Sequence, residues 1–156
     1  MNRLSQLLPA GNIAVECDAR DKSGALEAAA AIFANASGVD KERIRASLAA
    51  REQMGSTGLG QGVAIPHGRV RGVKRALAAV LKLAHPVPYD APDGRPVGLL
   101  IALLVPEFAT QEHLEVLSEL AQMLSDKEFR EQLMAAKTVD VLGAHVAAWV
   151  PIRPAA

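Results

Sequence analysis

The chain has 156 residues, half of them hydrophobic, and its 17 basic side chains are balanced by 17 acidic ones. That balance leaves no global field to gather nucleic acid or anionic lipid, so any partner must be recognised by a local patch. The single cysteine, Cys17, excludes an internal disulfide, and no apolar run approaches the roughly 20 residues that span a bilayer. The expectation is one compact domain over residues 1–156 in a reducing, cytoplasmic compartment, with no secretory h-region near Met1 and no membrane insertion.

Ile13 to Cys17 alternates in polarity and suits a short strand after the Pro9, Gly11, Asn12 turn. Asp21 or Ser23 can cap a helix whose Leu26, Ala29, Ala30 and Phe33 recur at helical spacing until Ser37 and Gly38 end it. A second helix begins at Asp40 and sets Ile44, Ser47, Leu48 and Arg51 along one side. A strand Val63 to Ile65 ends at Pro66, and Gly68 lets the backbone turn sharply behind it.

Ala76 to Leu83 and Val97 to Val105 read as buried strands, joined through a rigid connection rich in proline between Pro86 and Pro96. Thr110 caps a helix over Gln111 to Leu124 with Leu114, Leu117, Leu120 and Ala121 as its buried stripe. Ser125 with Glu128 forms a capping box for the next helix. Thr138 caps the last one, which carries Val141, Leu142, Val146 and Trp149 and stops at Pro151. The order β-α-α-β-β-β-α-α-α, with strands apolar on both faces, predicts an α/β fold: a three-layer α/β/α sandwich around a small mixed sheet.

The segment GSTGLGQGVAIPHGR, Gly55 to Arg69, concentrates the chemistry, because it sets His67 between a proline and a glycine at a strand end, where functional loops gather. Imidazole can serve there as a nucleophile or as an acid–base group near neutral pH. A Walker loop would need Lys and then Ser or Thr after its last glycine, yet Gln61 and Gly62 follow Gly60. A dinucleotide fingerprint from Gly58 would need glycine where Val63 stands. No H-E-x-x-H pair or cysteine cluster supports a metal, and Ser56 or Thr57 lacks the G-x-S-x-G elbow of a hydrolase.

The glycines Gly55, Gly58, Gly60 and Gly62, with Ser56 and Thr57, can turn backbone N–H groups into an anion-holding concavity, or serve loop geometry alone; the two readings stand level. His113 falls in the first turn of its helix, where a neutral imidazole donating to an anion is sensible and a solvated side chain is commoner. His85 and His145 have no comparable context.

The Gly55 to Arg69 segment closely resembles the phosphorylation-site segment of IIA components of the bacterial phosphoenolpyruvate-dependent phosphotransferase system, in the mannitol, fructose and nitrogen-regulatory class. The likeness continues through RALAAVLKL, PVPYDAPDGRPVGLLIALLVPE and EHLEVLSELAQML, and with the segment DAPDGRPV it is strongest to the nitrogen-regulatory members. It implies that His67 accepts a phosphoryl group, through Nε2, from a small histidine phosphocarrier protein. It further implies that His113 supports the phosphoryl group by a hydrogen bond and that Arg51 lies close to it. Gln61 departs from the asparagine common in relatives.

No cofactor or metal follows from such a relay. The output implied is a phosphohistidine switch acting on regulatory targets in nitrogen, potassium or carbon physiology. Two alternatives are a sugar-specific IIA component that passes phosphate to a IIB permease unit, and a binding module that is not phosphorylated. The partner surface is expected to be apolar around His67 with a charged rim; Arg69, Arg71 and Lys74, just downstream, either make this side locally basic or are ordinary solvated charges, the commoner case.

Overall fold

A computed structural model describes residues 2–108 and 111–150. Six strands form one mixed sheet: β1 (Ile13–Cys17), β2 (Gly58–Gly60), β3 (Val63–Ala64), β4 (His67–Val70), β5 (Leu77–Val87) and β6 (Val97–Pro106). The strand order is β1-β5-β6-β3-β2, with β4 also paired to β6. β1 runs parallel to β5, β5 antiparallel to β6, and β3 and β4 parallel to β6.

β6 and the first half of β5, Leu77 to Leu81, are buried on both faces, which is why they read as continuous apolar runs, whereas Ala84 to Pro86 of β5 are exposed. Their side chains divide by period two. Ala79, Leu81, Leu100, Ala102 and Leu104 join one core cluster with Leu26, Ala29, Phe33, Ile44 and Leu48 of α2 (Lys22–Ser37) and α3 (Lys41–Gln53). Ala78, Val80, Leu99, Ile101 and Leu103 join the other cluster. There they meet α4 (Gln111–Ser125), α5 (Lys127–Ala135), α6 (Val139–Ala148) and the N-terminal helix α1 (Arg3–Leu7). The result is the expected α/β/α sandwich around a mixed sheet.

Helix starts follow the capping rules. Asp21, Asp40 and Thr138 accept from the backbone N–H groups of Gly24, Arg43 and Val141, and Gly38 closes α2 at φ 77°. The expected caps Thr110 and stop Pro151 lie outside the described residues.

Several expectations are corrected. Ser125 does not cap α5: Asp126 accepts from Phe129, and the Ser125 hydroxyl instead donates back to Gln122 within α4. The buried stripe of α4 is Val116, Leu120, Met123 and Leu124; Leu114 is 59% exposed, because the apolar face carries His113 one position earlier. Val141 likewise faces solvent on α6. The segment before β1 is more than a turn, since α1 and a 3-10 turn at Ala10–Asn12 pack there. The Asn2 amide donates to the Val146 and Trp149 carbonyls, tying α1 to the end of α6.

The largest correction concerns Gly68, which makes no turn. Ala64 pairs with Leu100 and His67 with Leu103, so β3 and β4 keep one register along β6 and are two halves of an interrupted strand. The interruption falls at Ile65–Pro66, where the proline has no N–H to offer. Gly68 is needed for a different reason: a Cβ there would meet the Ser47 Oγ of α3 at 2.5 Å.

Candidate functional site

His67 opens β4 with its ring half-buried. Its Nδ1 lies 2.9 Å from the Ile65 carbonyl oxygen, and since that oxygen only accepts, Nδ1 carries the proton. Nε2 is then the nitrogen with the free lone pair. The Ile65 peptide is fixed in turn, because its N–H donates to the Thr57 carbonyl at 3.0 Å.

His113 faces this ring from α4. The two imidazole centroids are 5.8 Å apart at an interplanar angle of 67°, an edge-on arrangement. His113 is only 6% exposed, and its Nδ1 has no hydrogen-bond partner among the described residues. Burial, above all, pushes both imidazoles below the ordinary histidine value. Arg51 and Arg69 lower His67 further, while the Ile65 carbonyl and Glu52 pull it back up; His113 is lowered by His67 and Arg69. Two neutral rings side by side can act as a nucleophile and a hydrogen-bond donor without a proton being removed first.

Arg51 lies in the last turn of α3, where its charge bears on His67, and Nη1 donates to the Gly55 carbonyl at 2.8 Å. Its planar guanidinium retains further N–H groups for an anion. The other loop residues are mostly engaged within the protein. The Gly55 N–H bonds the Glu52 carbonyl, the Thr57 N–H the Glu52 carboxylate and the Gly58 N–H the Ser56 hydroxyl. The Ser56 and Thr57 hydroxyls are spent on the Tyr89 carbonyl and on Glu52.

Gly60 and Gly62 lie elsewhere, at the tip of the β2–β3 hairpin, where positive φ of 87° and 82° is required. That tip is held by a carboxylate, since Asp93 accepts from the Gln61 N–H, while Arg95 donates to the Gln61 side chain. The structure thus brings His67 and His113 together, sets Arg51 where its charge reaches His67, and uses the glycine segment as a frame, with the hairpin tip turned to the Asp93 carboxylate.

Sequence reasoning missed Glu52, Lys22 and Tyr89. The Glu52 side chain is 4% exposed and meets Lys22 Nζ at 3.1 Å, the Thr57 N–H and hydroxyl, and the Tyr89 hydroxyl. Burial and the nearby carboxylate push the Tyr89 hydroxyl far up, so it stays a neutral donor. A glutamate in the last turn of a polar helix normally signals only a solvated face, so nothing local marked it.

Large apolar side chains stand in solvent nearby: Met54, next to the Gly55 contact of Arg51, and Phe108, ahead of α4, are each 84% exposed. A cavity of about 660 Å³ opens beside His113, lined by Leu8, Lys74, Arg75 and Phe108 among others. No cluster of three or more His, Cys, Asp or Glu side chains among the described residues can hold a metal. None of the helices described is long and apolar enough to cross a membrane.

Residues 6–147 match the family model of the phosphoenolpyruvate-dependent sugar phosphotransferase system, EIIA 2. The chain is 45% identical over 143 residues to a nitrogen regulatory protein of Pseudomonas aeruginosa, covering 91% of this chain and 93% of that one. It is 32% identical over 136 residues to the fructose-specific EIIA component of Haloferax volcanii, covering 86% and 88%. The fold superposes on the crystal structure of the nitrogen regulatory protein IIA-Ntr from Neisseria meningitidis with a TM-score of 0.88 and 44% identity, over 93% of this chain and 99% of that one.

Proposed function

The chain belongs to the EIIA 2 family of the phosphoenolpyruvate-dependent sugar phosphotransferase system, and on that footing we propose that it is a phosphohistidine relay protein of the nitrogen-regulatory kind. His67 takes a phosphoryl group from the phosphohistidine of a small carrier protein, and the resulting state controls regulatory targets. We take residues 1–156 as one IIA-type domain working in the cytoplasm. The observation that carries the reading is the Ile65 carbonyl 2.9 Å from His67 Nδ1, which reserves Nε2 for attack.

The step balances without a base. The Nε2 lone pair attacks phosphorus, a P–N bond forms on His67, and the bond to the carrier imidazole breaks with its electron pair leaving on that ring. His67 keeps its Nδ1 proton throughout. Arg51 pairs with the equatorial phosphoryl oxygens, and neutral His113 donates one hydrogen bond to them, so positioning and charge stabilisation supply the catalysis. The exposed Met54 and Phe108 suit a partner that must dock briefly and leave.

Incubation with phosphoenolpyruvate, the first enzyme of the system and its carrier should place acid-labile phosphate on the protein, and none on His67→Ala. Phosphate retained by that variant would refute the assignment of His67. The sugar-specific alternative is favoured by the likeness to the fructose-specific component of Haloferax volcanii. It predicts onward transfer to a purified IIB protein, which the regulatory reading does not need.

A further inference from the structure

Between α3 and His67 runs a chain of hydrogen bonds through two residues that carry no side-chain chemistry for the transfer. The Glu52 carboxylate accepts from the Thr57 N–H at 3.0 Å and 3.2 Å. The Thr57 carbonyl accepts from the Ile65 N–H at 3.0 Å, and the Ile65 carbonyl holds His67 Nδ1 at 2.9 Å. We propose that Glu52 is a positioning residue for His67: by anchoring Thr57, and Ile65 through it, it holds the carbonyl that keeps the proton on Nδ1 and leaves Nε2 as the nucleophile.

Three observations give this weight. First, Ile65 lies in the gap between β3 and β4, so its N–H is held by Thr57 rather than by the sheet. Second, the carboxylate is buried and fully engaged, with Lys22 Nζ at 3.1 Å supplying the opposite charge and Asp90 at 3.3 Å steadying that lysine. Burying an ion pair is a weak source of stability and is better explained where it fixes one geometry among several. Third, a charged acceptor makes a shorter, stronger bond to a backbone N–H than an amide does, so the anchor depends on the charge and not merely on shape. Helix geometry adds a coupling: Arg51 and Glu52 are adjacent, so one turn of α3 sets both the phosphoryl-binding cation and the anchor of the nucleophile.

This rests on His67 being the acceptor, as proposed above, and the experiment separates the two. The imidazole nitrogens of His67 are read by 15N NMR in wild type, Glu52→Gln and Tyr89→Phe, and transfer from the carrier is followed in each. Glu52→Gln keeps an oxygen in place and removes the charge; it should admit the Nε2-protonated tautomer and lower kcat about tenfold with KM for the carrier unchanged. Tyr89→Phe removes a bond to the same carboxylate and one to the Thr57 hydroxyl, but leaves the Thr57 N–H on the charged Glu52, and should leave tautomer and rate as in wild type.

A Glu52→Gln protein with wild-type tautomer and kcat overturns the inference, as does a Tyr89→Phe protein that behaves like Glu52→Gln, which would make the cluster merely structural. If the tautomer depends on Glu52 while wild type takes no phosphate on His67, the anchoring stands and the relay reading falls.

Discussion

The two helices that flank His67 hold it by opposite means. α3 is bonded to the strand and loops around the histidine: Ser47 donates to the Arg69 carbonyl at 3.0 Å, Arg43 to the Arg71 carbonyl at 2.7 Å, and Arg51 to the Gly55 carbonyl at 2.8 Å. α4 brings only His113, whose buried Nδ1 is unpaired among the described residues, and otherwise meets the sheet through apolar side chains. Its polar ties run to α1, through Glu119 to the Leu4 N–H and Glu115 to Arg3. A satisfied polar network rigidifies what it touches, whereas an unsatisfied buried nitrogen costs stability and is retained where a ligand gives it work. α3 is thus tied to the strand and loops around His67 by polar bonds, Arg51 among them, whereas α4 faces the histidine with one unpaired imidazole nitrogen.

The sharpest way to break the contrast is His113→Phe. Transfer should slow on the order of 100-fold, because a donor to the developing charge is lost. The fold should hold or gain about 1 kcal/mol, because a buried unpaired nitrogen is replaced by carbon. Denaturant midpoints and rapid-quench transfer rates measure the two separately; a destabilised variant with normal transfer would undo the contrast between the two helices.

Gly68→Ala attacks the other side. The added Cβ would sit 2.5 Å from Ser47 Oγ and 3.3 Å from the Ser47 backbone, so α3 must withdraw from β4. Overpacking of this kind costs about 1–3 kcal/mol. Adding Ser47→Ala should recover part of it, which thermal unfolding of single and double variants reads directly; full stability in the single variant would mean that α3 does not clamp the strand.

The smallest effect is on pH. The charged and titratable groups facing His67 are Arg51 and Glu52 from α3, Arg69 on β4 and His113 on α4, and with burial they leave both imidazoles depressed. Transfer should stay level as pH falls toward about 6.5 and decline only below it. Between the lowered folded value and about 6.5 the unfolded chain binds more protons than the native one, so stability rises with pH there, and the loss on acidification levels off below the folded value. Proton NMR titration of His67 and His113 tests this; either ring titrating above its ordinary value would contradict the geometry described.

The fold was legible because its signals are local and strong. Val97 to Val105 is a continuous apolar run, Asp21, Asp40 and Thr138 are caps that the backbone uses, and the α/β/α layering follows from strands buried on both faces. His67 stood out because of its proline and glycine neighbours.

What failed was any inference that needed to know what lies across a gap. Gly68 looked like a turn and is a point of close approach to Ser47, a residue 21 positions away along the chain. Leu114 looked like core because leucines set the apparent period, and His113 had taken the inward position.

By itself, then, the sequence determined the layers, the short strand before the histidine and the residue types available for phosphoryl chemistry, since periodicity, capping and backbone restriction act over a few residues; that His67 opens a further strand was not among them. Only the tertiary structure decided that the Ile65 carbonyl accepts from His67 Nδ1 and so fixes its tautomer, that His113 stands 5.8 Å away, and that Glu52 is buried beneath the loop. Those facts depend on hydrogen bonds and desolvation between segments far apart in the chain, and no local pattern encodes them.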